Sequence, residues 1–113
     1  PVVYNGVIYV GNLDGKLYIL KADDGQKVTE FALNSPISSS LVLVGSSVVV
    51  ATEAGIIYTV DTTNNEIKRL ASLGEKVFAS LSAGQASVFI HTASDSLYAV
   101  DAASGAKRQF TIK

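Results

Sequence analysis

The sequence returns to one short pattern at a fixed interval of 40 residues. The segments KLYILKADDGQK, IIYTVDTTNNEI and SLYAVDAASGAK begin at Lys16, Ile56 and Ser96. Self-similarity at this period is typical of repeat architectures in which each unit is one supersecondary element. No gap is needed to align the three units, and the corresponding positions include Gly15 with Gly55, Leu17 with Ile57 and Leu97, and Tyr18 with Tyr58 and Tyr98.

Each unit reads as four short strands. The apolar segments are brief and rich in β-branched and aromatic residues, and Gly, Asn and Asp separate them, which favours strands joined by tight turns. No segment has the pattern of a helix. In the middle unit the predicted strands run from Ile37 to Val44, Ser47 to Thr52, Ile56 to Asp61 and Glu66 to Ser72.

The middle unit is apolar on both faces of its predicted sheet, because the neighbouring strands read LVLV and VVVA. Such a sheet must be covered on both sides, and stacked copies of itself would do this. We therefore predict an all-β chain of three tandem four-stranded antiparallel sheets, the blades of a β-propeller that is larger or is closed by oligomerisation. The repeated tyrosines are expected to pack between blades. The chain forms a single repeat domain in this prediction, with blades at residues 1–35 (first strand truncated), 36–75 and 76–113.

Composition narrows the possible partners. The chain has 48% hydrophobic and 17% charged residues and a formal net charge of -1, which is typical of a globular protein. There is no basic surplus, so nucleic acid and a bare membrane surface are not expected partners. The sequence lacks cysteine and methionine and starts at Pro1. We expect a processed product or a piece of a longer protein.

Residues 6–28, GVIYVGNLDGKLYILKADDGQKV, resemble the pyrroloquinoline-quinone-like (PQQ-like) repeat, and SLYAVDAASGAK resembles it again. The resemblance implies a propeller of about six to eight blades. The resemblance also implies one of two kinds of protein: a quinone-dependent dehydrogenase, or a non-catalytic protein such as the lipoprotein scaffold of outer-membrane barrel assembly. Members often place Trp four residues after the repeat glycine, where this chain has Thr29, Arg69 and Gln109. That departure favours the non-catalytic kind.

No catalytic, cofactor-binding or metal-binding residues are predicted. His91 is the only histidine and has no acidic neighbour in sequence to orient it, so it is interpreted as a strand residue at a blade edge. Asp61 and Asp101 end the third strand of their units and are interpreted as turn caps. The Asp-Gly turns lack the alternating ligands of a calcium loop. The glycines lead into no helix, as a dinucleotide site would require.

The leading functional hypothesis is a non-catalytic binding or scaffolding propeller that mediates protein–protein interaction in the cell envelope, in an extracytoplasmic, periplasmic or surface location of a prokaryote. Two alternatives stay open: blades of a PQQ-dependent dehydrogenase whose active site lies elsewhere, and blades that only complete a ring. The open faces predict either a homo-oligomer or further blades of the parent chain. The loops between second and third strands and those that join blades should share one face. The candidate contacts are Asn12, Asp14, Asn34, Ser35, Glu53, Glu75, Ser94 and Asp95.

Overall fold

The computed structural model describes residues 2–37, 41–77, 81–84, 86–92, 96–102 and 104–111. Within those ranges the regular elements are twelve strands, and no helix there is long and apolar enough to cross a membrane. The first sheet contains β1 (Val2–Tyr4), β2 (Val7–Gly11), β3 (Lys16–Lys21) and β4 (Lys27–Ala32). The second contains β5 (Val42–Val44), β6 (Ser47–Ala51), β7 (Ile56–Asp61) and β8 (Ile67–Ser72). The third contains β9 (Ser82–Ala83), β10 (Ser87–His91), β11 (Ser96–Asp101) and β12 (Lys107–Thr111).

The three sheets are antiparallel meanders in which each strand pairs with the next along the chain. The register between the second and third strands repeats with the sequence, so equivalent residues face each other there in every sheet. The central strand pairs show this register: Tyr9 with Ile19, Val49 with Thr59, and Phe89 with Ala99. The register between the third and fourth strands shifts at different places, between Ile19 and Leu20 in the first sheet and between Ile57 and Tyr58 in the second. The predicted all-β propeller fold, with three four-stranded sheets, is confirmed.

The predicted strand from Ile37 to Val44 was wrong at Ile37 and Leu41, which lie outside β5 (Val42–Val44), and its residues 38–40 lie outside the described residues. Ile37 donates its backbone N–H to the Asn12 carbonyl oxygen at 3.0 Å, and its side chain is buried in the core between the first two sheets. This residue therefore belongs to the connection between sheets. Smaller differences occur at two other ends. The second strand stops at Ala51, because Thr52 closes the following turn, and the fourth starts at Ile67.

The second sheet is apolar on both faces because it lies between two cores. Along β6, Val48 and Val50 pack against the first sheet, whereas Val49 and Ala51 pack against the third. All four side chains are at most 1% exposed. Alternation along a strand sends successive side chains to opposite faces, so an unbroken run of small apolar residues is what a sheet covered on both sides requires.

The repeated tyrosines pack against the preceding sheet. Tyr58 lies against the core between the first and second sheets, and Tyr98, 5% exposed, lies in the core between the second and third. The predicted packing role of these two residues is confirmed. Tyr18 is half-buried on the outer face of the first sheet, with Ile8, Val10 and Leu20 on the same face.

Asparagine replaces glycine at several turns of left-handed backbone. Among the described residues, the non-glycine positions with positive φ are Asn5, Asn34 and Asn65. Asn65 has φ 57 where the other repeats have Gly25 and Gly105 at φ 73 and 78. Asn tolerates this conformation better than other residues with a side chain, so the turn survives the substitution.

Candidate functional site

The loops between second and third strands lie at the same end of the molecule as the connections between sheets. We call this end the loop face; its described residues are 12–15, 34–36, 53–55 and 74–76. Glu53 donates its backbone N–H to the Pro36 carbonyl oxygen at 2.8 Å, and the Glu53 carbonyl oxygen accepts the Val77 N–H at 3.2 Å. The predicted grouping of these loops on one face is confirmed for the described residues.

Backbone bonds hold each connection between sheets against the hairpin that precedes it. The Gly15 carbonyl oxygen accepts the Leu33 N–H at 2.7 Å, and the Gly55 carbonyl oxygen accepts the Leu73 N–H at 2.9 Å. The two bonds are 40 residues apart and are equivalent in the repeat. In the first connection, Ser35 adds a side-chain bond, since its Oγ accepts the Ala54 N–H at 3.1 Å. The loop face is therefore a set of braced turns.

Gly15 and Gly55 are required by the close approach of the following connection. Both have positive φ, 82 and 87. A Cβ atom on Gly15 would lie 2.9 Å from the backbone nitrogen and oxygen of Ser35, and one on Gly55 would overlap the Glu75 carbonyl oxygen. Only a residue without a side chain allows the two backbones to meet in this way.

The Glu75 carboxylate joins the second connection to the third sheet. The Tyr98 hydroxyl donates to Glu75 Oε2 at 2.6 Å, and the Thr92 hydroxyl donates to Oε1 at 3.3 Å. The hydrogen bond to the carboxylate favours the neutral phenol and so raises the pKa of Tyr98, with burial adding to the effect. Glu75 therefore braces the fold.

Asn12, another predicted contact residue, also has a structural role. Its Oδ1 accepts the backbone N–H groups of Asp14 and Lys16, both at 3.0 Å, and so caps the loop between β2 and β3. Thr52 and Thr92, at the equivalent positions, form side-chain bonds with the residue four positions later. A capping oxygen is thus kept at this position although the residue type changes.

The side chains that the loop face presents to solvent are few. Asp14, Asn34 and Lys76 are exposed, and Glu53 is half-buried. Leu13 is 68% exposed at the tip of the first hairpin, an apolar side chain beside the acidic Asp14. Leu13 was not among the candidate contacts predicted from the sequence, although a leucine between two turn residues is a usable signal of an exposed contact.

The structure thus divides the eight predicted contact residues. Asn12, Ser35 and Glu75 make side-chain bonds that brace the turns, whereas Asp14, Asn34 and Glu53 form the more accessible part of the same face. Ser94 and Asp95 lie outside the described residues.

Asp61, Asp101 and His91 were considered as possible catalytic or metal-binding residues in the sequence. Asp61 Oδ1 accepts the backbone N–H and hydroxyl of Thr63, at 2.9 and 2.6 Å, and these bonds lower the pKa of Asp61. Asp101 Oδ1 accepts the Ser104 N–H at 2.9 Å, so the predicted turn-capping role is confirmed for both. His91 is exposed at the end of β10. In the part of the chain that the structure describes, no three His, Asp or Glu side chains are grouped to hold a metal ion.

Comparison with known proteins gives one family. The family profile described as outer membrane protein assembly factor BamB matches residues 1–109. No curated protein sequence matches the chain.

Solved structures share the fold at low identity. BamB from Moraxella catarrhalis superposes with a TM-score of 0.81 at 16% identity, over 97% of this chain and 34% of that one. Sqt1 from Saccharomyces cerevisiae gives 0.78 at 18% identity, over 91% and 29%. The N-terminal domain of Nup159 gives 0.73 at 17% identity, over 94% and 31%. The chain spans about a third of the length of each of these structures.

Proposed function

The chain belongs to the family of the outer membrane protein assembly factor BamB, and from that premise we propose that it is a non-catalytic β-propeller scaffold that binds a protein partner. The observation that carries the proposal is the loop face, where backbone bonds brace the turns and leave Leu13, Asp14 and Asn34 exposed. A rigid scaffold with exposed loop residues is a common arrangement for binding.

The partner and the location are part of the same proposal. Nup159, a propeller of similar fold, was crystallised with the protein Dbp5 bound, which supports a protein partner for this chain. The family description supports a role in the cell envelope, outside the cytoplasm and on the periplasmic side of an outer membrane. The likeness to yeast Sqt1 and Nup159 gives no location.

Charge reversal at the loop face tests the binding proposal. We expect Asp14→Lys combined with Leu13→Ser to weaken partner binding at least tenfold, because contact residues near the centre of an interface carry most of its energy. The matched control is Asp23→Lys, an exposed acidic turn residue at the opposite end of the first sheet. The measurement is capture from envelope extract followed by titration of the captured protein. Equal weakening by the control, or no effect of the loop variants, would refute the assignment.

The proposal that the chain is non-catalytic is tested separately. We expect no saturable fluorescence change when pyrroloquinoline quinone and calcium are titrated into the chain, since binding of this quinone is the property that defines the dehydrogenase alternative. Saturable binding would overturn the scaffold proposal and leave the fold assignment intact.

The outer faces of the first and third sheets are proposed to contact further sheets of the same repeat. Tyr18 is equivalent to Tyr58 and Tyr98, each of which packs on a preceding sheet. At the other end of the stack, Phe89 is 38% exposed on β10. Light scattering over a hundredfold concentration range identifies the source of these sheets: a discrete oligomer indicates other copies of this chain, and a monomer indicates a longer parent chain. If the Phe89→Ser variant remained a monomer and its solubility did not change, this result would argue against any sheet that covers Phe89.

A further inference from the structure

A cleft of about 340 Å³ opens between the second and third sheets, at the end of the strands opposite the loop face. Its walls include Ser47, Thr59 and Asp61 of the second sheet and Ala102 of the third. The volume falls within the range of roughly 300–1,000 Å³ that small-ligand sites occupy. It is separate from the residues proposed to bind a protein partner.

Comparison of the repeats shows that this cleft departs from ordinary packing between sheets. The positions of Ser47, Thr59 and Asp61 are held in the first sheet by Val7, Ile19 and Lys21, at the same register. These residues of the first sheet face the space between the first and second sheets. Ile19 is 0% exposed there, and Val7 packs against the core that contains Ile19. The third sheet has Ser87, Ala99 and Asp101 at these positions, so the serine and the aspartate recur in the repeat and Thr59 is the residue particular to this cleft. Packing does not require a hydroxyl there, because the first sheet has Ile19 at the equivalent position and buries it fully.

Thr59 is the deepest polar group of the cleft. Its side chain is 6% exposed, and among the described residues nothing forms a hydrogen bond with its hydroxyl. Most buried hydroxyl groups in folded proteins have a partner, so one that faces a cleft without a partner indicates a water or a ligand group. Ser47 on β6, which pairs with Asp61, adds a second hydroxyl at the same wall.

The charges of the cleft favour a cation. Asp61 and Glu66 contribute two carboxylates and Lys68 one ammonium group, which leaves one net negative charge. Both hydrogen bonds recorded for the Asp61 carboxylate use Oδ1. The same bonds lower its pKa and keep the group ionised. Ala102 provides an apolar wall for an aliphatic stem, whereas the Ile67 side chain packs against the core between the first two sheets.

We propose that this cleft binds a basic side chain of a peptide, with the ammonium or guanidinium group donating to the Thr59 hydroxyl and the Asp61 carboxylate. The aliphatic part of the side chain lies against Ala102. Lys and Arg commonly bury an apolar stem in this way while the charged head keeps polar partners. The site is distinct from the loop face and gives the chain a second place to contact a partner.

The experiment titrates the chain with N-acetyl-lysine amide and N-acetyl-arginine amide and follows methyl chemical shifts by NMR. N-acetyl-norleucine amide, which keeps the stem and lacks the ammonium group, is the ligand control. We expect saturable shifts at the Thr59 and Ala102 methyl groups with the basic ligands at millimolar concentration, and none with norleucine. Equal shifts with norleucine would show an apolar cleft and would overturn the proposal. No shift with any ligand would show that the hydroxyl holds water alone, which also overturns it.

Three variants separate binding from folding. Thr59→Ile introduces the residue that the first sheet uses and should abolish the shifts of the Ala102 methyl group without lowering the midpoint of unfolding. Asp61→Asn should weaken binding about threefold or more, as loss of an exposed ion pair would. Lys68→Gln should tighten binding, because it removes the ammonium group of Lys68 from the cleft wall. Weaker binding by Lys68→Gln, or unchanged binding by Thr59→Ile, would contradict the proposal.

Discussion

Substitution of Gly55 by alanine should destabilise the chain through two separate effects. An L-residue at a φ of +87 costs about 1–2 kcal/mol, because its Cβ crowds the following carbonyl oxygen in the left-handed region. The added Cβ also overlaps the Glu75 carbonyl oxygen, so the connection between sheets must move. Overpacking of this kind costs about 1–3 kcal/mol. The expected total is about 2–5 kcal/mol, a large share of the roughly 5–15 kcal/mol that stabilises a small domain.

The chain supplies its own control for the second effect. Gly45 also has positive φ, 61, but a Cβ there would meet nothing within 4 Å. Gly45→Ala should therefore show only the backbone cost of about 1–2 kcal/mol. The assay is urea unfolding followed by circular dichroism, with equal slopes required before the free energies are compared. Hydrogen exchange at the Leu73 amide, which bonds to the Gly55 carbonyl oxygen, should accelerate only in Gly55→Ala. Equal destabilisation by the two variants would refute the argument that the approach of the Glu75 backbone requires glycine.

Tyr98→Phe should cost about 1–2 kcal/mol, because it removes a hydrogen bond to the half-exposed carboxylate of Glu75. Tyr58→Phe, at the equivalent position, should cost less in the same denaturation assay. The raised pKa of Tyr98 means that this bond stabilises the fold at neutral pH and is lost as pH rises through that pKa. Burial also raises the pKa of Tyr9, so absorbance at tyrosinate wavelengths should show two late-ionising groups among the described tyrosines, of which Tyr98→Phe removes one. Ile57→Ala should lower the free energy of unfolding by about 2–5 kcal/mol, since Ile57 is fully buried between two sheets; a loss under 1 kcal/mol would contradict the assigned core. Gly25→Asn should leave the thermal midpoint nearly unchanged, because this turn has asparagine in the second repeat; a large drop would show that the turns are not equivalent.

Most of the fold could be predicted because local and repeated signals agree. A strand of β-branched residues, a turn of Gly or Asn and a fixed spacing each indicate the same hairpins, and the register follows when one hairpin is known. Val48 to Ala51 were predictable as a strand covered on both faces because no polar residue interrupts them. The start of β5 was not predictable, because Ile37 is as apolar as a strand residue and only a backbone bond to Asn12 shows that it belongs to the connection.

The site was harder to predict than the fold. Sequence spacing placed the loops on one face, but it could not show which polar side chains are already used inside the molecule. Glu75 reads as a solvent-exposed carboxylate until Tyr98, 23 residues away, is seen to donate to it. The same limit applies to Thr59. Alternation along β7 places this residue in a core, and only the three-dimensional structure shows that it lines a cleft, where a polar side chain has a use other than packing.

The position of the second sheet has a consequence for how the chain loses its structure. The second sheet contributes residues to both apolar clusters, whereas each terminal sheet contributes to one. Opening of a terminal sheet therefore exposes one interface, and opening of the second sheet exposes two. In a linear array whose stability is a sum of units and of contacts between neighbours, unfolding starts at the ends and reaches the centre last. The amides of β6 should thus be the slowest to exchange with solvent, and any sheet added at either end would slow exchange in the sheet beside it.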